Sequence, residues 1–160
     1  MMESTISAAL IRQFDWTWAT LSDAIGTFDD IGWRTGSTDF LIPARQAYHL
    51  IEAVSFYAEA NPDADKFEWG CLGCGWETAP PSQLPSQQAI LGYLEETRAK
   101  MRRWLSDQSD ADFLKVTGDI KSSWPTKLDR ALYGLRHTQH HTAQINTELR
   151  RRGLPRGKWC

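Results

Sequence analysis

Between positions 4 and 28 the apolar residues Ile6, Leu10, Phe14, Trp18, Leu21 and Ile25 recur at steps of three and four with no proline among them. That spacing lines one face of an α-helix and predicts a first amphipathic helix of about six to seven turns, from Ser4 to Phe28. Gly32 and Gly36 then interrupt the pattern. A second helix is expected from Pro43, a good first-turn residue, through AYHLIEAVSFYAEA to the stop at Asn61-Pro62. Its stripe is Ala47, Leu50, Ile51, Val54 and Ala58. A third starts near Ser86 as its N-cap and carries Ile90, Leu91, Leu94, Met101, Trp104 and Leu105 up to the acidic SDQSDAD segment. A fourth begins near Pro125, with Leu128, Leu132, Leu135, Ile145 and Leu149 marking its buried side. Arg150 to Arg152 suit the carbonyl end of its dipole, and Gly153 then Pro155 end it. No stretch shows the alternation of a strand.

Residues 61–85 hold Pro62, Pro80, Pro81 and Pro85 with Gly70, Gly73 and Gly75, so they read as a connection rather than an element. A connection this long inside a compact domain usually has a task, and it can run the whole length of a helical bundle. The expected fold class is therefore all-α: one domain over residues 1–160, a four-helix bundle whose second and third helices run the same way. Residues 107–124 leave room for a short extra turn.

Composition narrows the function classes. The formal net charge of −2 gives no electrostatic pull toward nucleic acid or an anionic membrane. No apolar run approaches the ~18 residues of a membrane span, and the first residues lack the basic cluster of a signal peptide. A soluble cytoplasmic protein is expected, and the odd cysteine count of three fits a reducing compartment. Eight tryptophans are the unusual feature. They fit a thick core, an aromatic-lined pocket, or an association surface through which the chain forms a homodimer.

Three of the four histidines, His137, His140 and His141, fall within the fourth helix. His137 and His141 stand at i and i+4, one turn apart on one face, where two imidazoles can share an ion. On a helical wheel with Leu128 at zero, the apolar residues centre on roughly 300 to 320°, His141 lies near 220°, His137 near 180° and His140 near 120°. His140 thus points most nearly to solvent. An isolated pair of this kind is as often a polar helix boundary as a metal site. The fourth histidine, His49, sits mid-way along the second helix, where a lone residue is more often a satisfied core histidine. Ligands in bundles come from facing helices, however, so His49 could close on one ion with the pair. Three neutral imidazoles suit zinc, nickel, copper or iron and leave a position for water or substrate.

The string His137, His140, His141, Gln144, Ile145, together with His49, resembles the DinB/YfiT-like superfamily, and the LRRRGLP ending and the long middle connection agree over nearly the whole chain. The resemblance implies a four-helix bundle in up-down-down-up order. It also implies a divalent metal ion, zinc or nickel, held by His49, His137 and His141, with His140 and Gln144 as candidates for the layer behind them. The implied activity is a metal-dependent thiol transferase, or a related hydrolase or isomerase, using a low-molecular-weight thiol (bacillithiol, mycothiol or glutathione). The alternative is a non-enzymatic metal-binding or stress-response module acting through dimerisation. Two positions depart from the family pattern: Thr138 stands where an acidic residue is common, and Ala143 where glycine is.

Other chemistry is sparse. Cys71-Leu72-Gly73-Cys74 has the spacing of half a zinc site or a redox pair, but no second such motif follows, and two loop thiols without chemistry are the favoured reading. Cys160 could join them only if the C-terminus folds back. Trp69 and Trp76 flank the pair, as anchors of the loop or as the lining of a pocket mouth, anchoring being preferred. Asp15, beside Trp16, is expected at the surface. There is no GxSxG and no glycine-rich phosphate loop.

Overall fold

The structure, a computed structural model, describes residues 5–117 and 124–159. Helices α1 (Ile6–Gly26), α3 (Pro43–Tyr57), α4 (Gln87–Ser106) and α6 (Lys127–Arg151) are the long elements, and α2 (Asp30–Trp33) and α5 (Asp110–Leu114) are short. The chain is all-α, with no strand among the described residues. No helix among them is long and apolar enough to cross a membrane. Ser4 and Cys160 lie outside the described residues.

Local chemistry explains most boundaries. The Thr5 hydroxyl accepts from the Ala8 N–H and starts α1, and Ser86 does the same for α4 with Ala89. Reciprocal capping boxes open α5 (Ser109 with Asp112) and α6 (Thr126 with Asp129), so the fourth predicted helix begins just after Pro125. α6 ends in a Schellman motif: Leu154 N–H donates to Leu149 O, Gly153 N–H to Arg150 O, and Gly153 takes φ +70°. The second predicted helix is too long. It closes at Tyr57 because Ala58 and Glu59 turn in, with Glu59 N–H donating to Phe56 O, and Pro62 has no N–H with which to carry the helix on. α2 is a turn the sequence reading passed over. Asp29 caps it through the Gly32 N–H, and it buries Trp33, whose Nε1 donates to Pro85 O.

α1 packs against α4 and α6, and α3 against the same two. Ser7 on α1 reaches Leu105 on α4, and at the other end Ile25 O accepts from Gln87. Thr17 on α1 accepts from Gln139 on α6. Lys100 on α4 bonds Ser55 and Glu59 at the end of α3. The tail after α6 lies across α1 and α6, where Gly157 comes so close to Ala24 and Thr20 that a Cβ there would clash.

α6 buries Ile145 and Leu149 as predicted and packs Leu128 and Leu135 partly buried on the core, but its buried face is wider on the histidine side than predicted. Leu132 is 47% exposed, while Ala131, Gly134, Thr138 and His141 face inward. Small residues are needed there, since a Cβ on Gly134 would already stand 3.5 Å from the Tyr57 ring and 3.6 Å from Phe14.

Every residue of α3 except His49 is buried. Helices α4 and α6 cover two sides, and the connection 61–85 covers much of the rest, held by polar groups of α3 itself. Arg45 donates to the carbonyls of Trp76, Glu77 (3.1 Å) and Ala79 (2.9 Å). Tyr48 Oη accepts from Leu72 N–H at 3.0 Å, and the Glu52 carboxylate from Gly70 N–H at 2.6 Å. Replacing Arg45 by alanine strands these carbonyls, and we expect a loss of about 3 kcal/mol or more in denaturant unfolding. A change within about 0.5 kcal/mol, the size of an ordinary surface substitution, would show that Arg45 does not hold the connection.

Candidate metal centre

α3 and α6 bring His49, His137 and His141 together. His137 Nε2 lies 3.2 Å from His49 Nε2 and 3.2 Å from His141 Nε2. One ligand atom from each falls within 4.8 Å of the others, an arrangement that could hold a metal ion. Nitrogens about 2.0–2.1 Å from one tetrahedral ion stand about 3.3–3.4 Å apart, so the spacing is near that of a ligand set. His141 is buried, and His49 and His137 are half-buried.

The tautomer of His141 follows from its neighbours. Gln46 Nε2 donates to Phe40 O at 2.5 Å, which fixes the amide so that its Oε1 faces His141 Nδ1 at 2.6 Å. Gln144 Oε1 approaches the same nitrogen at 2.8 Å. Two acceptors require Nδ1 to carry the proton, leaving the Nε2 lone pair turned toward the other histidines.

Desolvation keeps these rings neutral. Burial first, and then the neighbouring imidazoles, hold His137 down to about 3; burial and then His49 hold His141 down to about 4. His49 is also lowered by burial, against the pull of Glu77. Neutral imidazole is the ligand form. Between three neutral rings with facing Nε2 atoms there are too few N–H groups to satisfy every contact, and lone pairs that face each other repel. A cation at their centre removes that conflict, so the donor set fits a metal. The Nδ1 of His137 is buried without a hydrogen-bond partner, its ring stacked on Tyr133 and edge-on to Tyr57.

His140 is exposed and meets His141 only ring edge to ring face, with centroids 4.9 Å apart. Trp76 lies against His49 at 4.1 Å between centroids, so this tryptophan lines the site. Trp69 packs on Phe56 and Phe67 and donates to Ala64 O, anchoring the connection. Cys71 and Cys74 are free thiols in that connection, Cys71 exposed, and neither is in the histidine group. Asp15 pairs with Arg98 and Arg102, away from the histidines. Gln46 was missed from the sequence. Its signal was there, a polar residue three before His49 and so on the same side of the helix.

Comparison with curated proteins and with solved structures finds no significant match. Residues 13–145 match the family model of the DinB superfamily. This span runs from α1 into α6 and contains all three clustered histidines, and the chain belongs to the DinB superfamily.

Proposed function

We propose that the chain holds one divalent ion, zinc or nickel, on His49, His137 and His141, and joins an intact low-molecular-weight thiol through its sulfur to a small electrophile, the thiol losing its proton and the electrophile its leaving group. Bacillithiol, mycothiol and glutathione are the candidate thiols. The observation behind this reading is the convergence of three neutral imidazole Nε2 atoms on one point. A divalent cation held there would supply the charge that favours thiolate over thiol near neutral pH. The protein's own share is orientation and exclusion. Gln46 and Gln144 hold His141 in the Nδ1–H form, and Trp76 screens the His49 ring from water on one side. Three protein ligands leave coordination room for the thiol.

The same proposal takes the four long helices as a bundle in up-down-down-up order. Supporting it, α1 meets α4 end to opposite end (Ser7 with Leu105, Ile25 with Gln87), whereas Tyr48 with Tyr93 and Ser55 with Lys100 pair α3 and α4 in the same sense. A reducing cytoplasm suits the free thiols Cys71 and Cys74.

One observation favours a second reading, a non-enzymatic metal-binding or stress-response module that works as a homodimer. Trp16 and Trp159, 49% and 69% exposed, border one shallow cavity beside α1 and α6, the kind of aromatic surface that association buries.

Elemental analysis of the purified protein is expected to find about one zinc or nickel per chain, and His141→Ala to lose most of it. Full metal retention by that variant would remove His141 from the ligand set. Gln46→Leu keeps the ligands but lets His141 turn, so competition with a chelator should show metal affinity about 10–100-fold weaker. Unchanged affinity would mean that the Gln46 contact does not orient the ligand. A panel of the three thiols with a haloarene should give turnover with one of them, abolished by a chelator. Silence with all three transfers the weight to the second reading.

A further inference from the structure

At the opposite end of the same α6 face, two turns before His137, stands a second cluster that the metal site does not use. Arg130 is 6% exposed. No carboxylate pairs with it among the described residues, and its Nε is buried without a hydrogen-bond partner. Its guanidinium lies over the Trp104 indole, with Cζ 4.3 Å from the ring centroid. The ring covers one face of the cation, while the in-plane Nε–H has no acceptor among the described residues. Burial alone pushes the group down to about 10, still far above neutrality, so the charge stays. A buried charge without a counter-charge is costly, and natural proteins keep one where something completes it.

A cavity of about 440 Å³ opens beside Arg130, bordered by Asn61, Thr117, Trp124, Thr126 and Lys127. Among the described residues no acidic side chain lines it. The carboxylate nearest in sequence, Asp129, is turned back onto the Thr126 N–H and hydroxyl, and Asp112 onto Ser109. Lys127 bonds the neutral amide oxygen of Gln108 and makes no ion pair among the described residues, although the Asp112 carboxylate lies within coulombic reach of it. The cavity also borders the first turn of α6, where the Thr126–Asp129 capping box already sets one carboxylate in the positive end of the dipole. Among the described residues the cavity wall itself thus carries one guanidinium, one ammonium and neutral side chains able to hydrogen-bond, with the neighbouring carboxylates of Asp129 and Asp112 held on hydroxyls.

We propose that this cavity binds the anionic group, a carboxylate or a phosphate, of a small molecule, with Arg130 as its principal partner and Lys127 as the second. The volume exceeds what a bare ion needs and suits an anion carried on a small body. The site is independent of the metal reading. Trp124 packs on Tyr57 and Tyr133, and these two rings stand between it and His137.

Thermal shift and tryptophan fluorescence titration with inorganic phosphate and with succinate, at matched ionic strength, test this directly. Wild-type protein should show saturable binding and a raised melting temperature with at least one probe. Phosphate alone would assign a phosphoryl group, succinate alone a carboxylate. Arg130→Met should weaken binding at least about tenfold while retaining its helical circular dichroism, the loss expected for one charge-assisted partner. Lys127→Ala should weaken it less. No saturable binding of either probe to wild type, or undiminished binding by Arg130→Met, overturns the proposal. If Arg130→Met fails to fold, Lys127→Ala decides, and an unchanged affinity in that variant overturns it equally.

Discussion

A helix wrapped on nearly every side must hydrogen-bond every polar group it carries. α3 is such a helix, with Arg45, Gln46, Tyr48 and Glu52 all buried. Each is satisfied by main-chain groups outside the helix: Arg45 by carbonyls of residues 76, 77 and 79, Tyr48 and Glu52 by the N–H groups of Leu72 and Gly70, and Gln46 by Phe40 just before it. The connection 61–85 has almost no regular structure of its own, so these bonds decide its path. That path delivers Trp76 to His49 and leaves Trp69 as a clamp on Phe56. The geometry around the histidines is therefore set by the polar half of α3 as much as by its apolar stripe.

Gln46 shows how the two halves meet. Its amide donates to Phe40 O and accepts from His141, so a bond that anchors the start of α3 also fixes a tautomer on α6. Substituting a group of the same size without the carbonyl would leave α3 packed and release the imidazole. Orientation of this kind separates three nearby histidines from a ligand set, because an imidazole free to turn presents its lone pair only part of the time.

The sequence carried the long helices well, since their stripes repeat over many turns and their caps are local: Thr126 with Asp129 or Ser86 with Ala89 need no tertiary information. The extra turn allowed within 107–124 is α5, built the same way. What was not legible depended on partners distant in the chain. The α6 stripe of Leu128, Leu132, Leu135, Ile145 and Leu149 is inward at Ile145 and Leu149 but not at Leu132, and Ala131, Gly134 and Thr138 turn inward with Phe14 and Tyr57 beside Gly134. The buried direction is rotated by about 50° toward the histidines, so His141 is interior rather than at a boundary. Trp76 beside His49 could not be read from spacing either, because nothing local says where a proline-rich connection will land.

α6 also shows one physical effect with two outcomes. Desolvation acts on His137 and His141 and on Arg130, along one helix face. An imidazole escapes by giving up its proton, and the fall to about 3 and about 4 records that escape. A guanidinium cannot escape near neutral pH, since even a fall to about 10 leaves it charged. Burial therefore prepares the histidine end to receive a cation, with lone pairs and no charge. The same burial leaves the arginine end with a charge that stays. The Trp124, Tyr57 and Tyr133 rings pack on one another between the two ends, which keeps the uncharged donors and the lasting charge on separate parts of one face.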